Sequence, residues 1–267
     1  MQGFAEYKEP PALQCPEFGL YPCLCVGESD EGIVVECENT NLASMAVGLK
    51  QAKVKMANLT ISNCDIEKLY GDVFRSNEIA KIIIEDTPIR KIENDTFIEV
   101  GQYIQELHLI NTRLETFPYG AFQSLTEVKK IKIDKSDLEE IPPNAFKGLS
   151  KLKEIQVSNA NVKTLDKAAF VGQRNWIFLR LYNNNITKIE KKTYDFGQAL
   201  ELLDLSHNHL KKLQPQDFNR LSKLLWLNLT DNGIETFSSR NFGRNQLLGE
   251  FRIFLLKIVK CSLKKLL

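Results

Sequence analysis

Apolar residues recur along this chain in a single pattern from about residue 53 onward. Three copies show it most clearly: FLRLYNNNITKI from Phe178, LLDLSHNHLKKL from Leu202 and WLNLTDNGIETF from Trp226. Each reads x-L-x-L-x-x-N-x-L-x-x-L, and their first residues lie 24 apart. Stepping back by 24 from Leu205 reaches Leu181, Val157, Ile133 and Leu109, and steps of 25 and 23 then reach Ile84 and Ile61, all of them apolar. An aromatic marks a second position of every copy, at Phe74, Phe97, Phe122, Phe146, Phe170, Tyr194, Phe218 and Phe242. A fixed period of this length means stacked repeats rather than one globular core. The alternation predicts a short strand with its two L positions inward and its three x positions outward. One such coil cannot bury its apolar side alone, so neighbouring coils must stack, with the aromatic backing the core from the far side.

Over residues 53–246 this combination resembles the 24-residue repeat of extracellular leucine-rich-repeat (LRR) proteins. The resemblance implies an α/β solenoid: a right-handed horseshoe with a parallel β-sheet on its concave face and mostly irregular or short 3-10 turns on its convex face. At the N position a buried amide can bond backbone groups of adjacent coils. That position reads Cys64, Thr87, Thr112, Ser136 and Ala160 before it becomes Asn184, Asn208 and Asn232. Thr, Ser and Cys are expected to make part of this bonding, and Ala160 none.

Four of the six cysteines, Cys15, Cys23, Cys25 and Cys37, fall close together. Their spacing lacks the paired knuckles of a zinc site, so disulfides and an oxidising compartment are the better reading, with three connectivities open. Continuing the period backward places Val35 and Cys37 on a strand, so VVECENTNLASM is expected to enter the sheet, with Leu42 and Met45 at later apolar positions. The segment CPEFGLYPCLCVGESDEGIVVEC resembles the cysteine-rich N-terminal cap of secreted and cell-surface LRR proteins. That resemblance implies bridges Cys15–Cys25 and Cys23–Cys37 and leaves Cys64 a buried free thiol. The expected organisation is a disordered tail over 1–14, the cap over 15–52, eight repeats over 53–246, and a degenerate ninth repeat or amphipathic capping helix over 247–267. The first residues do not read as a signal peptide, which suggests truncation or processing, and the last are too short and too charged to span a bilayer.

Composition adds mainly exclusions. With 43% hydrophobic and 26% charged residues the chain can fold, and 35 Lys+Arg against 34 Asp+Glu leave a formal net charge of +1. No global field attracts nucleic acid or an anionic membrane, so neither is expected as a partner. Asp204, Ser206 and His207 lie close in sequence but on variable positions with no oxyanion loop, so no catalysis is expected. His108, His207 and His209 lack metal-site spacing and read as surface residues; no metal or cofactor is expected. Sequons at Asn58, Asn94, Asn185 and Asn228 suggest glycosylation.

Among the outward positions one column stands out: Phe178, Leu202 and Trp226 form an apolar ridge, with Arg180, Tyr182 and Asp204 beside it. Trp and Arg are interface hot-spot residues, and contiguous exposed apolar surface marks interaction sites. The expectation is a non-enzymatic extracellular module that binds a macromolecular partner, a protein ligand or receptor, through its concave face. The chain is also similar to secreted arthropod LRR proteins such as the non-catalytic subunit of shrimp luciferase. That resemblance implies the alternative role, an accessory subunit of a secreted enzyme complex.

Overall fold

The structure, a computed structural model, describes residues 14–235 apart from 18, 72, 191–196 and 214–217. The expectations for residues 1–13, for Tyr194 and Phe242, and for the segment 247–267 lie outside the described residues.

One sheet runs the length of the molecule. Its strands in order are β1 (Leu24–Ser29), β2 (Gly32–Glu38), β3 (Lys55–Ser62), β4 (Lys81–Glu85), β5 (Glu106–Ile110), β6 (Lys130–Asp134), β7 (Glu154–Ser158), β8 (Phe178–Arg180), β9 (Leu202–Asp204) and β10 (Trp226–Asn228). Only β1 and β2 pair antiparallel; from β2 onward every neighbour is parallel and one coil further along the chain. The inward positions Ile61, Ile84, Leu109, Ile133, Val157, Leu181 and Leu205 are at most 1% exposed. Behind them the aromatics form a spine. Phe74 stacks on Phe97 with centroids 5.9 Å apart, Phe146 on Phe170 at 5.7 Å, and Phe170 meets Trp176 at 4.7 Å.

At the N-terminal end, disulfides join Cys15 to Cys25 and Cys23 to Cys37, and Cys64 is a buried free thiol. The strand expected through Met45 stops early. β2 ends at Glu38, and Leu42–Ala52 is an α-helix, α1. Its start is set by Asn41, whose Oδ1 accepts from the Ser44 amide at 3.0 Å, satisfying a donor that the first turn leaves orphaned. Met45 and Leu49, four residues apart, put one face of the helix in the core. Gly48 lets the helix touch the preceding loop, because a Cβ there would lie 2.5 Å from the Tyr21 carbonyl oxygen.

Each coil leaves the sheet through a residue in the left-handed region, directly after strands β2–β7 and three residues beyond the end of β8, β9 and β10. These are Asn39, Asn63, Asp86, Asn111, Lys135, Asn159, Asn183, His207 and Asp231, with φ between 48° and 56°. Asn and Asp tolerate this conformation better than other side chains, which accounts for most of the column. The buried ladder position follows immediately. Asn208 Nδ2 donates to the carbonyls of Leu181, Leu205 and Ser206, and its Oδ1 accepts from the Ile186 amide at 3.0 Å. Asn184 and Asn232 repeat the arrangement.

Shorter side chains do this unequally. Thr87 donates to the Glu85 carbonyl and accepts from the Cys64 amide, and the Cys64 thiol reaches the Cys37 and Ser62 carbonyls. Thr112 and Ser136, expected to contribute in the same way, do not: both hydroxyls are buried without a hydrogen-bond partner. A hydroxyl at this position reaches the adjacent coil at Thr87 but not at Thr112 or Ser136, whereas the longer amide does so at Asn184, Asn208 and Asn232.

Ala160→Asn is therefore expected to raise stability by about 1 kcal/mol, the net value of a typical intramolecular hydrogen bond. Translating the bonds of Asn184 back one coil aims the new amide at the Leu138 N–H and the Ile133 carbonyl. Thermal denaturation checks it, and an unchanged or lower Tm would remove this account of the ladder.

Candidate binding face on the concave sheet

The three outward columns are set by strand register. Phe178 pairs with Leu202 and Leu202 with Trp226, so the apolar ridge is continuous over β8, β9 and β10, and each of its side chains is half-buried. Arg180, two residues beyond Phe178 on the same face, lies with its guanidinium carbon 5.5 Å from the centre of the Phe178 ring. Its Nη1 donates to Glu154 Oε1, and the other oxygen of that carboxylate lies 3.3 Å from Lys130 Nζ. Arg180 is thus held by an ion pair on one side and a ring on the other, which limits the rotamer entropy it would lose on contact with a partner.

Tyr182 joins a polar chain. Gln156 Nε2 donates to the Tyr182 hydroxyl at 3.2 Å and to Ser158 Oγ at 2.8 Å, and Ser158 in turn donates to Asp134 Oδ1. Asp204 folds onto its own strand: its Oδ1 accepts from the Ser206 amide and hydroxyl. His207 occupies the left-handed turn, and its Nδ1 lies 3.2 Å from Asp231 Oδ2. The fold therefore brings Asp204 and Ser206 together and places His207 against a different carboxylate.

Toward the N-terminus the character of the face changes. The first column continues from Phe178 through Glu154, Lys130, Glu106 and Lys81, an alternation of charge, with Lys81 Nζ 3.2 Å from Glu106 Oε2. In the middle column His108 sits between Ile83 and Lys132, only 12% exposed. Its Nε2 is buried without a hydrogen bond, although the Glu106 carboxylate lies 3.2 Å away. Burial is the main reason its pKa falls from 6.5 to about 4; the nearby Lys81, Lys130 and Lys132 push the same way, and Glu106 opposes them. His108 is thus a neutral, nearly enclosed side chain rather than a surface one. The sequence held one signal for this, its central x position with Ile83 and Ile110 on the same face.

Of the sequon asparagines, Asn94 is exposed and Asn185 half-buried, while Asn58 and Asn228 lie on the outward face of β3 and β10. Asn228 Oδ1 accepts from the amide and hydroxyl of Thr230. Among the described residues no three His, Cys, Asp or Glu side chains gather as metal ligands. No helix among them is long and apolar enough to cross a membrane.

Comparison with known proteins places this geometry. A BspA type leucine-rich-repeat region matches residues 51–177 in six copies, and a leucine-rich-repeat model matches residues 178–234. The crystal structure of a TLR13–ssRNA13 complex is similar with a TM-score of 0.73 and 28% identity over 80% of this chain and 30% of that one. The Toll–Spatzle complex of Drosophila, in its glycosylated form, is similar with a TM-score of 0.68 and 23% identity over 78% of this chain and 28% of that one. The chain spans under a third of the length of either.

The first of these overturns one expectation. Nucleic acid was set aside as a partner on net charge, yet a solenoid similar to this one is solved in complex with single-stranded RNA. Net charge averages over the whole surface and is silent on any one face. From the matched repeats and the continuous parallel sheet, the chain is a leucine-rich-repeat protein with a cysteine-rich, doubly disulfide-bonded N-terminal region.

Proposed function

We propose that this chain is an extracellular, non-enzymatic binding module that takes a protein ligand on the C-terminal half of its concave sheet. The observation that carries the reading is the register-aligned ridge of Phe178, Leu202 and Trp226, flanked by the pre-held Arg180, with Tyr182 and Asp204 on the adjoining columns. Half-exposed aromatic and apolar side chains on three successive strands offer area at low entropic cost. The two disulfides favour an oxidising compartment. The Toll–Spatzle likeness speaks for the fold alone.

A second reading has its own support. TLR13 is solved with an RNA, and Phe178, Arg180 and Trp226 are residue types on which unpaired bases stack. Glycosylation at Asn94 and Asn185 is compatible with both readings. A glycan on Asn228 would cover the ridge.

The test is a comparison of the wild-type chain with Trp226→Ala, each titrated with the partner retained from the extracellular fluid of its source. Affinity is expected to fall by about 30-fold, corresponding to about 2 kcal/mol for a hot-spot aromatic. Equal affinity in a variant of unchanged Tm, or a glycan on Asn228 in the secreted protein, would overturn the ridge as the site. Loss of the retained material after ribonuclease treatment would select RNA over protein, and co-elution with an enzyme activity would select the accessory-subunit role.

A further inference from the structure

One flank of the solenoid is stitched from coil to coil by backbone hydrogen bonds. Arg90 N donates to Glu67 O at 2.7 Å, Glu115 N to Arg90 O at 3.2 Å, Lys163 N to Glu139 O at 2.8 Å and Glu235 N to Lys211 O at 3.2 Å. Two short parallel ladders reinforce it, Lys68–Leu69 with Lys91–Ile92 and Glu140–Ile141 with Thr164–Leu165. Between the coils carrying Glu115 and Glu139 no such bond or ladder is present among the described residues. The local sequence explains the break. Phe117 stands where the other coils carry Leu69, Ile92, Ile141 and Leu165. Its ring wedges edge-on between Phe122 and Phe146, with centroids 5.5 and 5.2 Å away. Across the gap Pro142 stands where Glu93 and Asp166 donate their amides to the preceding coil, and it has no N–H to offer.

A cavity of about 680 Å³ opens at this missing rung. Phe117 forms its floor, and the ring of Tyr119, 53% exposed, stands at its lip. Four carboxylates line it: Glu115, Asp137, Glu139 and Glu140. Glu115 is paired with Arg90 at 2.6 Å and Glu139 with Lys163 at 2.7 Å, while Asp137 and Glu140 have no ion-pair partner among the described residues. The volume is that of a small-ligand pocket, and a planar cation with an apolar stem matches both walls, its stem on the rings and its charge toward Asp137 and Glu140.

We infer that this flank groove is a second binding site, separate from the concave ridge, and that it takes an arginine side chain presented by an extended protein segment. The occupant is selected by charge complementarity and by the aromatic floor; a phosphate-bearing strand is repelled by the same carboxylates.

The probe is the peptide acetyl-Ala-Arg-Ala-Arg-Ala-amide, titrated into the whole chain by calorimetry. Its citrulline counterpart serves as a neutral isostere of the same shape. The arginine peptide is expected to bind at least tenfold more tightly than the citrulline peptide. The double variant Asp137→Asn, Glu140→Gln is expected to lose that preference, while Trp226→Ala, which tests the concave ridge, leaves it intact. The control Asp30→Asn, Glu31→Gln removes two exposed acids at the β1–β2 turn and is expected to change nothing. Equal binding of the two peptides, an unaltered preference in the groove variant at unchanged Tm, or an equal loss in the control variant would each overturn the site.

Discussion

Phe146→Ala is expected to lower the unfolding free energy by about 4 kcal/mol, the range for emptying a fully buried aromatic position. Phe146 is 0% exposed, stacks on Phe170 and receives the edge of Phe117, so its removal leaves a void bordered by two other rings. Collapse into that void is hindered, because the backbone of each coil is tied to its neighbours on the concave side by the parallel ladder. The damage should also be local. In a solenoid each repeat contacts mainly the next, so coils around residues 114–180 are expected to lose amide-exchange protection first while the bridged N-terminal region keeps its own. Urea denaturation with hydrogen exchange on the same variant measures both. A loss below about 1 kcal/mol, or protection lost evenly along the chain, would contradict the spine as described.

Which features could be read from the residues follows from what the repeat transmits. Translation by one coil recreates the same surroundings, so Ile61, Val157 and Leu205 were legible as core from their spacing alone, and so was the register that aligns Phe178, Leu202 and Trp226. Features that depend on breaking the period were not. Helix α1 begins because one side chain, Asn41, caps it, and the backward extension of the strand pattern ran past that point. Thr112 and Ser136 had the same chemistry as Thr87, which makes both of its bonds, yet their hydroxyls are buried without a partner. The left-handed column was present in the sequence as recurrent Asn and Asp, obscured by Lys135 and His207. The flank groove follows from a bond that is not made, and no residue type announces that. Total charge was no ground for setting nucleic acid aside, because a balanced sum coexists here with a charged N-terminal half of the face and an apolar C-terminal half.

That charged half makes the second large prediction. His108 is expected to make the folded state lose on the order of 3 kcal/mol as pH is lowered from about 6.5 to about 4. The native pKa of about 4 lies below the ordinary value of 6.5, because burial disfavours the imidazolium and three lysines repel it. Between those two values the unfolded chain binds the proton and the folded chain does not, so stability rises with pH across the window and is lost as pH falls through it. Below about 4 both forms are protonated and this contribution is flat. Glu93 and Glu190, whose pKa values are lowered from 4.5 by hydrogen bonds with Lys68 and Lys188 respectively, lose their stabilising contributions only as pH falls below that value, so the upper part of the window belongs to the histidine. Comparing the wild type with His108→Gln isolates the effect: the variant stays neutral, and its stability should be nearly constant from pH 6.5 to 5 while that of the wild type falls. Because the group sits on the concave face with Lys81, Lys130, Lys132 and Glu106 around it, an anionic ligand laid over β4–β6 would raise the native pKa and reduce the slope. A wild-type profile parallel to that of His108→Gln would show that the imidazole is solvated and that the enclosure by its neighbours is not maintained in solution.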